Sequence, residues 1–180
     1  MASPGDELFN PATGQRLVFR RTTAETNGEL VEVESYYRAG GPPAPQHYHP
    51  SQDERFEVVS GVVHAVIGGE TRRLTEGEVI EIPAGTPHEF GGIADADGHV
   101  IWQTRPALRT EQFFETVFGL AAAGRVGDDG VPGLLQLALM VPEFDAEIRV
   151  TKPPRAVQKL VFGALGPLAR LRGYRATYPP

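Results

Sequence analysis

Three histidines and one glutamate are the side chains of this sequence best suited to holding a metal ion. His47 and His49 lie two residues apart, so an extended segment would direct both imidazoles to the same side. Glu54 follows five residues after His49, and a turn between them would bring its carboxylate beside the imidazoles. His88 lies further along, behind a Pro- and Gly-containing turn at residues 83–85. The four side chains therefore form a candidate ligand set.

Three imidazoles and one carboxylate suit a divalent transition metal. Iron, manganese, nickel, zinc and copper all accept this set, so one metal per chain is expected and its identity is left open. Four protein ligands around an octahedral ion leave two positions for water, dioxygen or a substrate. Asp53 competes with Glu54 for the carboxylate role, but it would face the opposite side of a strand, and we expect it to be solvated.

The segments that carry these residues have the pattern of short strands. Turn signals recur about every ten residues, as in all-β barrels and sandwiches. One of these signals, Gly68-Gly69, is typical of a two-residue hairpin turn. The predicted strands are residues 15–22, 29–38, 55–60, 62–74, 78–83, 88–93 and 98–105.

The strand interiors are predicted from alternation. Phe56, Val58 and Phe90 are expected inside the barrel, together with Ile101 and Gln103. If the strand parity is reversed, Tyr37 or Trp102 lines the pocket instead.

The pattern changes after Pro106, where apolar residues recur with helical spacing. We predict helices over residues 110–124, 133–144 and 153–173. Thr110 is the expected N-cap of the first, and Pro167 is expected to kink or divide the third.

Composition narrows the class of protein. The 180-residue chain has no cysteine, which excludes disulfides, thiolate metal sites and cysteine nucleophiles. Its first residues lack the apolar core of a signal peptide, and no apolar run is long enough to span a membrane. A cytoplasmic protein is the expectation. Residues 1–104 carry a net charge of −9 and residues 105–180 a net charge of +3. The acidic body argues against nucleic acid as a partner.

Two motifs in this sequence resemble those of the cupin superfamily. Residues 41–61 fit the pattern G-x5-H-x-H-x4-E-x6-G, and residues 77–88 fit G-x5-P-x-G-x2-H. Many cupins have Asn four residues after the last His, where this chain has Gly92. The resemblance implies a mainly β cupin double-stranded β-helix, a jelly-roll barrel, over residues 1–107. Residues 108–180 would form a C-terminal α-helical extension.

The same resemblance implies that His47, His49, Glu54 and His88 bind one metal inside the barrel. It also implies a small-molecule ligand or substrate and a homodimer, since cupins are commonly dimers. Cupins with this ligand set include dioxygenases, in which the glutamate, here Glu54, acts as a base. Others are isomerases, lyases and cyclases. A small-molecule-binding protein and a barrel that holds metal only for stability stay open.

Three arrangements of the helical extension also stay open. It packs on the barrel or covers its mouth, it forms a dimer interface, or its basic third helix lies on an anionic membrane surface.

Overall fold

The computed structural model of the chain describes residues 2–179. These residues form ten strands and three helices. The strands are β1 Glu7–Asn10, β2 Gln15–Arg21, β3 Val31–Tyr37, β4 His47–Tyr48, β5 Asp53–Ile67, β6 Glu70–Thr75, β7 Val79–Ile82, β8 His88–Gly91, β9 Gly98–Arg105 and β10 Arg149–Val150. The helices are α1 Thr110–Ala122, α2 Leu134–Glu143 and α3 Arg155–Leu171. The mainly β fold with C-terminal helices is as predicted.

The strands form one antiparallel sheet that curls around a common interior. Its order is β1-β2-β3-β9-β5-β8-β4-β10, and β6 and β7 also pair with β5. β5 joins the two halves, because its first part pairs with β9 and β7 and its second part with β6 and β8. Gly61 marks the change, with a φ of +75° and the Asp97 carbonyl 2.1 Å from where a Cβ would lie. A side chain there would collide with backbone.

The sequence predicted two strands where the structure has the single strand β5. Gly61 does not end the strand, since it pairs with Gly98 of β9 and pairing continues from Val62 with β6. The predicted Gly68-Gly69 turn does separate β5 from β6, and both glycines have positive φ.

The barrel interior contains a stacked aromatic group. The ring centroids of Phe56 and Phe90 lie 4.0 Å apart, and those of Phe56 and Trp102 lie 5.3 Å apart. The register of β5 and β9 places Phe56 opposite Trp102, so these two residues share a face. The prediction that Ile101 and Gln103 point inward was therefore wrong, because β9 has the reversed parity. Phe56, Val58 and Phe90 are buried inside as predicted.

The helices pack against the barrel and against one another. Phe114 and Phe118 of α1 join a buried cluster with residues of β2 and β3. Thr110 is the first helical residue and Arg109 is the N-cap, so the predicted cap was one residue too late. α3 is one continuous helix with Pro167 inside it, so Pro167 does not divide the helix, and the alternative of a kink stays a prediction. Pro167 is exposed, so water can hydrate the carbonyl that lacks its usual donor.

No helix within residues 2–179 is both long and apolar enough to cross a membrane. The division of the chain at residue 107 stays a prediction, because the later part returns to the barrel through β10.

Candidate metal centre

The four predicted ligands lie together inside the barrel. His47 is in β4, His49 follows that strand, Glu54 lies near the start of β5, and His88 begins β8. Antiparallel pairing of β4 with β8 places His47 directly opposite His88. The three imidazoles are buried, and they offer nitrogen atoms that lie within 4.8 Å of one another. Glu54 is 2% exposed and lies in the same cluster.

Each imidazole is oriented by a backbone carbonyl. The Nδ1 atoms lie 2.7 Å from the carbonyl of Pro45 for His47, 2.7 Å from that of Glu147 for His49, and 2.9 Å from that of Thr86 for His88. A carbonyl oxygen only accepts hydrogen bonds, so Nδ1 carries the proton in each ring. The Nε2 atoms are then free to act as metal ligands, which is the usual arrangement of metal-binding histidines.

Glu54 is held on one side and faces the imidazoles on the other. Its Oε1 accepts a hydrogen bond from Trp102 Nε1 at 2.8 Å. Its Oε2 lies 2.9 Å from His88 Nε2 and 3.3 Å from His49 Nε2. Because the protons are on the Nδ1 atoms, these short contacts bring lone pairs together.

Glu54 Oε2 and His49 Nε2 are buried without a hydrogen-bond partner. Buried polar atoms are normally satisfied, and a cation placed among these atoms would satisfy them. The residues therefore fit a divalent metal.

The local environment shifts the pKa values in the cluster. Burial lowers the pKa of His47 to about 3, and the charges of His88 and His49 act in the same direction. For Glu54, burial favours the neutral form, but His49 and His88 outweigh it and hold the pKa well below its usual range. For His49, burial is again opposed and outweighed by Glu54, which raises the pKa. A neutral His47 and an ionised Glu54 are the forms that bind metals.

The structure adds two residues that the sequence did not assign to the site. Trp102 appeared only as a reversed-parity alternative. Glu147 was not predicted. It contacts His49 through its backbone carbonyl, a group that every residue has. Asp53 is exposed and accepts a hydrogen bond from the Ala84 N–H at 2.8 Å, outside the cluster as expected.

The helical extension reaches the ligands through β10. Arg149 pairs with Tyr48, and Val150 pairs with His47. The Thr151 N–H continues this pairing with a hydrogen bond of 3.1 Å to the Gln46 carbonyl. The strand that carries His47 is therefore held between β8 of the barrel and β10 of the extension.

A cavity of about 210 Å³ opens beside the four ligands. Its walls come from the barrel, including Tyr37, Phe90 and Trp102, and from the extension, including Phe113, Leu137 and Met140. Helices α1 and α2 therefore cover the mouth of the barrel above the ligands. The cavity suits a mostly apolar small molecule.

Gly92 lies where many cupins have Asn. A Cβ at this position would lie 3.0 Å from the Arg38 carbonyl oxygen and 3.2 Å from the Tyr37 Cβ. A side chain at this position would require its neighbours to shift by a few tenths of an ångström, so the space around Gly92 is tight.

Comparisons with known proteins agree with this architecture. The family model for the cupin domain matches residues 33–104. Quercetin 2,3-dioxygenase of Bacillus subtilis (strain 168) is 30% identical over 89 residues, which are 46% of this chain and 26% of that enzyme. The probable oxidoreductase patJ of Penicillium expansum is 36% identical over 92 residues, 47% of this chain and 27% of that protein. The chain thus spans about a quarter of the length of these relatives.

Solved structures show the same fold at low sequence identity. KdgF from a Halomonas species superposes with a TM-score of 0.52 at 22% identity, over 62% of this chain and 99% of that one. An RmlC-like cupin from Shewanella frigidimarina NCIMB 400 superposes with a TM-score of 0.50 at 21% identity, over 58% of this chain and 86% of that one. The matching family model identifies residues 33–104 of the chain as a cupin domain, and a helical C-terminal extension follows that domain.

Proposed function

We propose that this protein is a metal-dependent enzyme that binds one divalent transition metal through His47, His49, Glu54 and His88. The proposed reaction is of the dioxygenase type, on a small oxygenated organic molecule. One observation carries the proposal: three imidazoles and a buried carboxylate lie together on the wall of an apolar cavity. Two of their atoms, His49 Nε2 and Glu54 Oε2, have no hydrogen-bond partner there.

The dioxygenase type is supported by the similarity to quercetin 2,3-dioxygenase. Because the match covers a quarter of that enzyme, its activity comes to this chain only as a proposal. A bound metal with open positions would act as a Lewis acid toward a substrate oxygen and, if redox-active, would support reaction with dioxygen.

The chain's own residues would bind and orient the substrate. The aromatic walls at Tyr37, Phe90 and Trp102 would exclude water and hold an apolar body beside the ligands. Glu54 is the proposed catalytic residue: when its Oε2 is released from the metal, that oxygen would accept a proton from a substrate hydroxyl. Trp102 keeps the other oxygen fixed, so that Oε2 is the one free to react.

The runner-up function is a non-oxidative reaction, an isomerisation, cyclisation or elimination. The observation in its favour is the donor set, which accepts zinc as readily as iron. Binding of a small molecule without turnover is the third reading.

Dioxygen consumption tests the proposal. Metal-free protein would be reloaded in separate samples with Fe(II), Mn(II), Ni(II), Cu(II) or Zn(II) and supplied with flavonols and 1,3-diketones. We expect substrate-dependent dioxygen uptake with at least one redox-active metal, and its loss in Glu54→Gln. The matched control is Asp53→Asn, the neighbouring exposed carboxylate, which should keep activity. Conversion without dioxygen uptake would replace the proposal by the non-oxidative one.

A further inference from the structure

Along one side of α3 runs a stripe of exposed apolar residues that no part of the described chain covers. Val157, Leu160, Leu168 and Leu171 are 44%, 75%, 39% and 86% exposed. Ala164 is exposed on the same line. The residues recur every three, four or seven positions, so they lie along one side of the helix.

This stripe is separate from the face by which α3 packs. The buried residues of α3 are Gln158, Phe162, Gly166 and Ala169. At about 100° per residue, the centre of the exposed stripe lies roughly 155° around the helix from the centre of the buried face. Gly166 lies against the Ala138 and Leu139 region of α2, so the helix is already anchored to the body through its other side. The stripe is consequently left for something outside the chain.

The surroundings of the stripe are strongly basic. Residues 148–180 contain seven Lys or Arg and no Asp or Glu, and five of the seven remain after Arg149 and Arg155 pair with Asp145. Lys159 and Arg170 are exposed and directly precede Leu160 and Leu171, and Arg172 follows. Residues 1–104, by contrast, carry a net charge of −9. The cations are thus concentrated where the leucines are exposed.

The charge selects the kind of surface that fits. A second copy packed stripe to stripe would bring the cations around Leu160 and Leu171 together, with no acidic residue of that segment to compensate. An anionic lipid bilayer matches both properties, because apolar side chains enter the acyl boundary while Lys and Arg contact the headgroups. We propose that α3 binds the surface of an anionic membrane, lying in its plane.

Vesicle co-sedimentation of the full chain tests this proposal. The vesicles would be phosphatidylcholine alone or phosphatidylcholine with phosphatidylglycerol. We expect the native chain to bind the anionic vesicles, with an affinity that falls at high salt. The affinity of Leu160→Glu/Leu171→Glu should be lower than that of the native chain by roughly tenfold or more. The matched control, Phe9→Glu/Val79→Glu, places the same charges at apolar side chains of the barrel that are 54% and 49% exposed. It should bind like the native chain, and circular dichroism checks that both variants are folded.

Three results would overturn the proposal. These are no binding to anionic vesicles, binding that the α3 variant leaves unchanged, and a dimer in light scattering that the α3 variant dissociates. The last result would assign the stripe to a second copy of the chain.

Discussion

The two carboxylate oxygens of Glu54 have different partners. Oε1 is fixed by the indole N–H of Trp102, and Oε2 faces His49 and His88. The indole N–H stabilises the charge of this buried group on the Oε1 side. A metal among the same atoms would stabilise it further.

The indole N–H can be removed without removing the ring. In Trp102→Phe the aromatic ring still faces Phe56 and Phe114, but Glu54 Oε1 loses its donor. We expect a loss of about 1–3 kcal/mol in the free energy of unfolding. Metal affinity should fall roughly 10- to 100-fold, as for the loss of other outer contacts of metal ligands. Denaturant titration and metal titration measure the two effects.

Phe114→Leu is the control for this variant, since it alters the packing on the Trp102 ring and leaves the hydrogen bond intact. If both variants bind metal equally well, the hydrogen bond does not tune the site.

The sequence predicted the four proposed ligands better than their surroundings. The spacing of His47, His49 and Glu54 is local, and His88 is marked by its own motif, although the pairing of β4 with β8 is what places it opposite His47. The orientation of Trp102 depends instead on how β9 is aligned with β5, and that alignment shifts between Val58 and Ser60. The Glu147 carbonyl leaves no trace in residue type, so no sequence pattern identifies it.

At the scale of elements, β10 is the link between the helical extension and the metal centre. It is only two residues long, as is β4, so neither strand has a detectable periodicity in the sequence. Yet β10 pairs with the strand that carries His47, and the Glu147 carbonyl accepts a hydrogen bond from His49 Nδ1. The extension would therefore help to preorganise two of the four ligands.

Thr151→Pro tests this link. Proline removes the N–H that donates to the Gln46 carbonyl and should loosen β10 from β4. Metal affinity is expected to decrease by roughly tenfold or more, since the ligands lose outer support. Thr151→Val is the matched control, because it loses the hydroxyl and keeps the backbone N–H. Equal affinities in calorimetric titration of the two variants would show that β10 does not position the ligands.

Asp145, which lies two residues after the end of α2, forms ion pairs with Arg149 of β10 and Arg155 of α3. It lies 2.7 Å from both the Arg149 and the Arg155 guanidinium groups. Arg155, with Arg149 beside it, holds the pKa of Asp145 below its usual value, although partial burial acts in the opposite direction. Because the folded-state pKa is the lower one, the stabilisation is present above the unfolded pKa of about 3.9 and is lost as pH falls through the folded value.

Asp145→Asn should therefore lower the free energy of unfolding at neutral pH, by about 0.5–1 kcal/mol for such a partly exposed pair. The difference from the native chain should shrink as the pH is lowered below about 4. Denaturant titrations across this pH range measure it. Asp95→Asn, at a more exposed ion pair with Arg73, is the control and should have a smaller effect. A cost that does not change with pH would mean that the carboxylate charge is not responsible.

At the scale of the whole molecule, the barrel and the helices together enclose the cavity. The barrel was predictable because its turns and alternating strands are local patterns. The sequence left the position of α1 and α2 over the mouth of the barrel as one of three arrangements. An apolar stripe shows that a helix packs against something, but it does not show which surface it packs against. The homodimer and the independence of residues 1–107 from 108–180 stay predictions.

A bound metal would stabilise the entire fold, because ligands from β4, β5 and β8 meet at one point. At a free metal concentration about 100 times the Kd, the stabilisation is about 2.7 kcal/mol. For a chain of this size we expect a rise in Tm of about 5–10 °C, reversed by chelator. Differential scanning calorimetry with and without chelator measures it. An unchanged Tm for metal-loaded protein would argue against a folded-state site.

Metal content is the most direct test of the central claim. The full chain would be purified without chelator or nickel affinity resin and measured by inductively coupled plasma mass spectrometry. Beside it would be His49→Ala/Glu54→Ala and the control His64→Ala/Glu57→Ala, which changes the same residue types on the outer side of β5. We predict close to one transition metal per chain in the native and control proteins and almost none in the ligand variant. Equal metal content in all three, or a native protein that stays empty after reconstitution, would contradict the assignment of this centre.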